Sequence, residues 1–127
     1  MRTRRFRELI VWQESMVLVR AVYAAAADFP SAEKFGITSQ ICRAAVSIPS
    51  NIAEGHGRLS DKSFALFLGH ARGSLFELET QLEIASSLNY ISKERLGLML
   101  EDCEKIARML NALLGKLTKE GEGEKHR

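Results

Sequence analysis

Few residues in this chain have both the type and the spacing that chemistry requires. The closest approach is a stretch holding His70, Glu77, Glu79 and Glu83. Paired carboxylates can share general-acid and general-base work, and Glu-x-x-His pairs on facing helices can hold two metal ions. Glu77 lies one helical face-repeat from His70, yet no Glu-x-x-His pair occurs anywhere in the sequence. Of the remaining histidines, His56 sits between Gly55 and Gly57, and His126 is next to the last residue. A nucleophile needs an oriented base beside it; Cys103 falls in a seam of leucines and reads as core. Glu77, Glu79 and Glu83 also suit the charged flank of a helix bundle, where Glu79, at the edge of the apolar seam, could pair with an arginine across helices. No glycine loop of the phosphate-cradling kind is present. The residues do not point to an enzyme, a metal or a cofactor.

Basic residues offer a second kind of chemistry, the binding of phosphates. The formal net charge of the 127 residues is only +2, so the total says little and placement must carry the argument. Arg2, Arg4, Arg5 and Arg7 crowd the start, Arg58 and Lys62 follow the Gly55-His56-Gly57 break, and Lys116 and Lys119 come near the end. Whether they meet depends on the elements that carry them.

Those elements are helices. The chain suits one domain with one core. The first helix is expected over about residues 8–28, with Leu9, Trp12, Met16, Val19, Tyr23 and Ala26 on one face. Its other faces carry Val17, Leu18, Ala21, Val22, Ala24, Ala25 and Ala27. A helix apolar nearly all round is normally buried on more than one side, which suggests a second subunit; alanines raising helix propensity are the plainer account. Phe29-Pro30-Ser31 ends it, with Ser31 as a candidate cap for a short turn. The second helix is expected over 37–55, with Ile41, Ala45, Ile48 and Ile52 as its seam and a bend at Pro49, where a backbone hydrogen bond is lost. The third is expected over 61–88 and the fourth over 93–118, capped by Ser60 and Ser92. Phe64, Leu68, Ala71, Leu75, Leu78, Leu82 and Ala85 form a heptad seam on one. Leu96, Met99, Cys103, Ile106, Leu110, Leu113 and Leu117 form another. Residues 120–127 contain no apolar side chain and are expected to be disordered. Short connections then imply an all-α, antiparallel up-down-up-down four-helix bundle over residues 1–119.

This topology brings the chain start, the second-to-third turn and the end of the fourth helix to one end of the bundle. Arg4, Arg5, Arg7, Arg58, Lys62, Lys116 and Lys119 would then form a candidate RNA-binding cluster, although Glu8, Glu54 and Asp61 share that end. Phe6 is the obvious aromatic platform there. A second candidate surface is the polar stripe Arg43, Ser47, Ser50, Asn51 and Glu54 on the second helix, which also reads as a solvated face; Arg43, Ser47, Asn51 and Glu54 are its candidate contacts to a subunit or partner. Gly69 and Gly73 join it: each costs about 1 kcal/mol relative to alanine, so either another helix comes close or the glycines are simply tolerated. The apolar run Met16 to Ala27 is interrupted by Arg20 and is too short to cross a bilayer. Cys42 and Cys103 lack metal-ligand spacing. A cytoplasmic protein without a membrane partner is expected.

The motifs Leu9-Ile-Val-Trp12-Gln13, Phe29-Pro30, Gln40-Ile-Cys-Arg43-Ala44-Ala45, Ser47-Ile-Pro-Ser-Asn-Ile-Ala-Glu-Gly55 and Gly73-Ser-Leu-Phe-Glu-Leu-Glu-Thr-Gln-Leu82 resemble the bacterial four-helix-bundle proteins encoded in intervening sequences of 23S rRNA genes. The similarity runs from about Phe6 to Leu117. It implies a left-handed bundle, a homopentamer in the bacterial cytoplasm, and no established enzymatic activity. It also implies kinship with the accessory proteins of diversity-generating retroelements, which bind a reverse transcriptase and nucleic acid. Two functions follow as expectations: contact with RNA through the basic end, or an oligomeric scaffold that recruits a protein partner.

Overall fold

The computed structural model describes the backbone of residues 5–125 and the side chains of residues 5–118. Four helices account for nearly all of it: α1 (Ile10–Ala26), α2 (Ile37–His56), α3 (Asp61–Ser87) and α4 (Lys93–Lys125). Short 3-10 turns at Phe6–Glu8 and Ser31–Glu33 precede α1 and α2, and no strand occurs among the described residues. Each helix packs against two neighbours, in the cycle α1–α2–α3–α4, and no diagonal pair touches. Directions follow from paired residues. Glu14 meets Lys105 while Asp28 meets Arg95, so α1 and α4 run antiparallel. Ser47 meets Ser74 while Gly55 abuts Phe64 and Phe67, so α2 and α3 do too.

Local chemistry explains the boundaries. Ser60 accepts a hydrogen bond from the Ser63 amide (3.1 Å) and Ser92 one from the Arg95 amide (3.1 Å), each covering an amide that the first helical turn leaves unpaired. The α3–α4 connection is a Schellman turn. The amide of Tyr90 donates to the carbonyl of Ala85 and that of Asn89 to the carbonyl of Ser86, both at 2.9 Å. Asn89 takes the left-handed conformation (φ 64°) this turn needs, which asparagine tolerates better than most residues. Ser31 does not cap the turn before α2; it is the first residue of that turn, with Pro30 preceding it.

The seams expected on α2 and α3 are buried throughout, and that of α4 is buried from Met99 to Leu110 and at Leu117. The seam expected on α1 is not the one used. Val11, Ser15, Leu18, Val22, Ala25 and Ala26 face the core, whereas Leu9, Trp12, Met16 and Val19 are half-buried and Tyr23 is exposed. Ser15 disguised the true seam. Its hydroxyl donates to the Val11 carbonyl at 2.7 Å, so a polar residue sits at a fully buried position without an unmet hydrogen bond.

Helix α2 is continuous through Pro49, which is itself buried. Helix α4 continues to Lys125, beyond the expected limit near Thr118. Once a helix is nucleated, each further residue adds a hydrogen bond, and glutamate and lysine favour the extension while Gly121 and Gly123 weaken it.

Candidate nucleic-acid interface and partner surfaces

The 3-10 turn Phe6–Glu8 packs beside α2, and the antiparallel pairing of α1 with α4 sets the chain start alongside the later turns of α4. Arg5, Arg7, Arg58, Lys62 and Lys116 thus lie at the end of the bundle that carries the α2–α3 connection, and all five are exposed. Arg4 and the side chain of Lys119 lie outside the described residues. Two of the arginines are held in place. The Arg7 guanidinium lies 4.5 Å from the centre of the Phe6 ring, and that of Arg58 lies 4.6 Å from the Phe67 ring and 3.1 Å from Glu54. Such stacking keeps a cation exposed while restricting its motion. Phe6 is half-buried, with Arg7 over its ring and Trp12 in a T-shaped pair 5.3 Å away, so the ring is already engaged within the chain. Glu8 and Glu54 are exposed at the same end.

The polar stripe of α2 divides in two. Arg43, Ser50 and Glu54 point outward. Ser47 and Asn51 turn toward α3: the Ser47 and Ser74 hydroxyls are 2.7 Å apart, and the Asn51 amide donates to both the carbonyl (2.8 Å) and the hydroxyl (2.9 Å) of Ser47. Part of the stripe is therefore spent inside the bundle. Gly69 and Gly73 are exposed, and a methyl group on either would meet nothing within 4 Å. No helix of the same chain makes the close approach that would explain them. Gly55 does have such a neighbour. A methyl group there would lie 2.6 Å from the Phe67 Cβ and 3.1 Å from Phe64, so α2 and α3 cross tightly at this glycine.

Two open grooves flank the core. One lies between α1 and α2, lined by Tyr23, Lys34, Phe35, Thr38, Ser39, Cys42, Arg43 and Val46. The other lies between α3 and α4, lined by Phe76, Glu79, Thr80, Glu83, Gly97, Leu100, Glu101 and Glu104. The partner expected for Glu79 was an arginine; the group facing it is Glu104. Burial first, and then that like charge, push the Glu79 carboxyl above its ordinary range. Cys103 is fully buried in the core, and burial, with Glu79 and Asp102 adding to it, pushes its thiol up to about 12. A thiol so held is a protonated core residue, not a nucleophile. The described residues contain no group of three or more His, Cys, Asp or Glu able to hold a metal ion, and among them no helix is long and apolar enough to cross a membrane. The groove charges and Phe35 went unread in the sequence because their residues come together from separate helices.

These features define an all-α four-helix-bundle protein with one basic end and two oppositely charged grooves. Residues 7–112 match the model of the 23S rRNA-intervening sequence protein family, and the chain belongs to that family. A protein of unknown function from the S23 ribosomal protein family of Bacteroides thetaiotaomicron has a similar crystal structure. It aligns with a TM-score of 0.78 and 24% identity over 84% of this chain and 96% of its own. No curated protein matches the sequence significantly.

Proposed function

We propose that this chain is a non-enzymatic, oligomeric protein of the bacterial cytoplasm, a homopentamer as the family resemblance implies, whose basic end contacts RNA. The observation that supports this reading is the gathering of Arg5, Arg7, Arg58, Lys62 and Lys116 at one end, two of them braced by aromatic rings. Cations so arranged bind phosphates, release counterions and lose affinity as salt rises. Repetition around an assembly would multiply a modest charge per chain. Filter binding to ribosomal or intervening-sequence RNA across a salt series tests it. Binding should weaken steeply with salt and fall when Arg4, Arg5 and Arg7 are changed together to Ala. No binding at low salt, or binding indifferent to these changes, rejects the reading.

A second reading, a scaffold that recruits a protein partner, is favoured by the apolar groups left outside the core, including Ile10, Val17, Leu66 and Leu98. RNA that co-purifies in the absence of any protein partner would count against it.

A further inference from the structure

The two grooves differ in charge and lie on opposite sides of the bundle. The cycle α1–α2–α3–α4 without diagonal contacts requires this placement. Titratable groups in the α1/α2 groove include the cations Lys34 and Arg43 and no carboxylate. Apolar surface stands beside them: Phe35 is 90% exposed, Tyr23 51% and Val46 40%. The α3/α4 groove presents Glu79, Glu83, Glu101 and Glu104 and no cation in its lining, around Phe76 (46% exposed) and Leu100. Just outside it, Arg72 stacks over the Phe76 ring at 5.3 Å.

The grooves also stand at one height. Ser47 faces Ser74 in the antiparallel α2–α3 pair, so Cys42, Arg43 and Val46 are level with the Phe76–Glu83 stretch. A neighbouring molecule could therefore bring its basic face onto the acidic groove with little shift along the bundle axis.

We infer that the α3/α4 groove of one copy receives the α1/α2 face of a second copy, with Lys34 and Arg43 among the glutamates and Phe35 and Tyr23 against Phe76 and Leu100. This inference rests on the oligomeric reading above and assigns the surfaces that build the oligomer. Three features commit the groove to this occupant: complementary charge, apolar surface on both sides, and matching height. The contact joins two different faces, so it is head-to-tail. A head-to-tail contact closes into a ring when its rotation permits and otherwise continues as a filament. Four carboxylates crowded in one groove repel each other, and two incoming cations relieve that repulsion; the assembly is accordingly salt-sensitive.

Light scattering on four samples tests the inference: the wild type, K34E/R43E, E83K/E101K, and an equimolar mixture of the two variants. All four substituted side chains are exposed, and circular dichroism checks that the variants remain folded. The wild type should have the mass of an oligomer that falls in high salt. Each variant alone should fall to the mass of a single chain. The mixture should regain higher mass, because the intact acidic groove of one variant meets the intact basic face of the other. Variants that keep the wild-type mass overturn the assigned surfaces and leave the oligomeric reading standing. Variants that dissociate but do not recover on mixing overturn the head-to-tail pairing. A wild type with the mass of a single chain at every concentration refutes the oligomeric reading, and this inference with it.

Discussion

Gly55 of α2 and Phe67 of α3 pack so closely that a single methyl group on the glycine would sit 2.6 Å from the Phe67 Cβ. Gly55 is buried and lies one turn before the chain reverses into α3, so the contact fixes how the two helices leave their connection. Gly55→Ala should destabilise the protein by about 1–3 kcal/mol, the usual range for overpacking, despite alanine's better helix propensity. Urea unfolding gives the comparison. A stability gain would show that α2 and α3 can separate at this point without cost.

Gly69→Ala and Gly73→Ala should do the reverse. Both sites are helical and open, so alanine should stabilise the single chain by up to ~1 kcal/mol at each. The same denaturant series measures it, at a concentration where the chain is dissociated.

Ser74→Ala should cost about 1 kcal/mol, because it removes one of the two side-chain partners of the half-buried Ser47 hydroxyl. Ser47→Ala should cost somewhat more, since the Asn51 amide also loses an acceptor. A double-mutant cycle on Ser47 and Ser74 should return a coupling of similar size; zero coupling would mean the two hydroxyls do not interact in solution.

Alkaline pH should weaken the fold. Cys103 has its thiol pushed up from 9.0 to about 12, so the folded chain holds this proton more tightly than the unfolded chain. Its contribution is complete below pH 9 and is lost as pH rises toward 12, at up to about 1.4 kcal/mol per pH unit. Tyr90 shifts upward as well, through its 3.0 Å hydrogen bond to Glu33, and acts in the same direction. Cys103→Ala should flatten the thermal-midpoint curve above pH 9. In the wild type, thiol reagents should reach the half-buried Cys42 well before Cys103.

Glu79→Gln should stabilise the single chain at neutral pH. Its carboxyl is raised by burial and by Glu104, so the stability linked to it is full below the ordinary glutamate value and is lost as pH rises through the raised one. Thermal midpoints of variant and wild type should therefore converge on acidification; a constant gap would place the effect in packing instead of charge.

Periodicity alone determined much of this protein. The heptads of α3 and α4, the seam of α2 and the caps Ser60 and Ser92 are all local patterns, and they appear where expected because a helix exposes its spacing in the sequence. The face of α1 was not legible. That helix is apolar almost all round, and its buried seam contains Ser15, whose hydrogen bond to Val11 lies within its own helix. Only the position of its two neighbouring helices, α2 and α4, selects one face from several of similar hydrophobicity. The same reason separates Gly55 from Gly69 and Gly73: the residue type is identical, and what differs is whether Phe67 or open space lies beyond the missing Cβ. The basic end followed from topology, whereas the two charged grooves did not. Their linings are drawn from distant stretches, 23 with 34–46 and 76–83 with 97–104, and opposite charges settle on opposite faces only once the chain has packed.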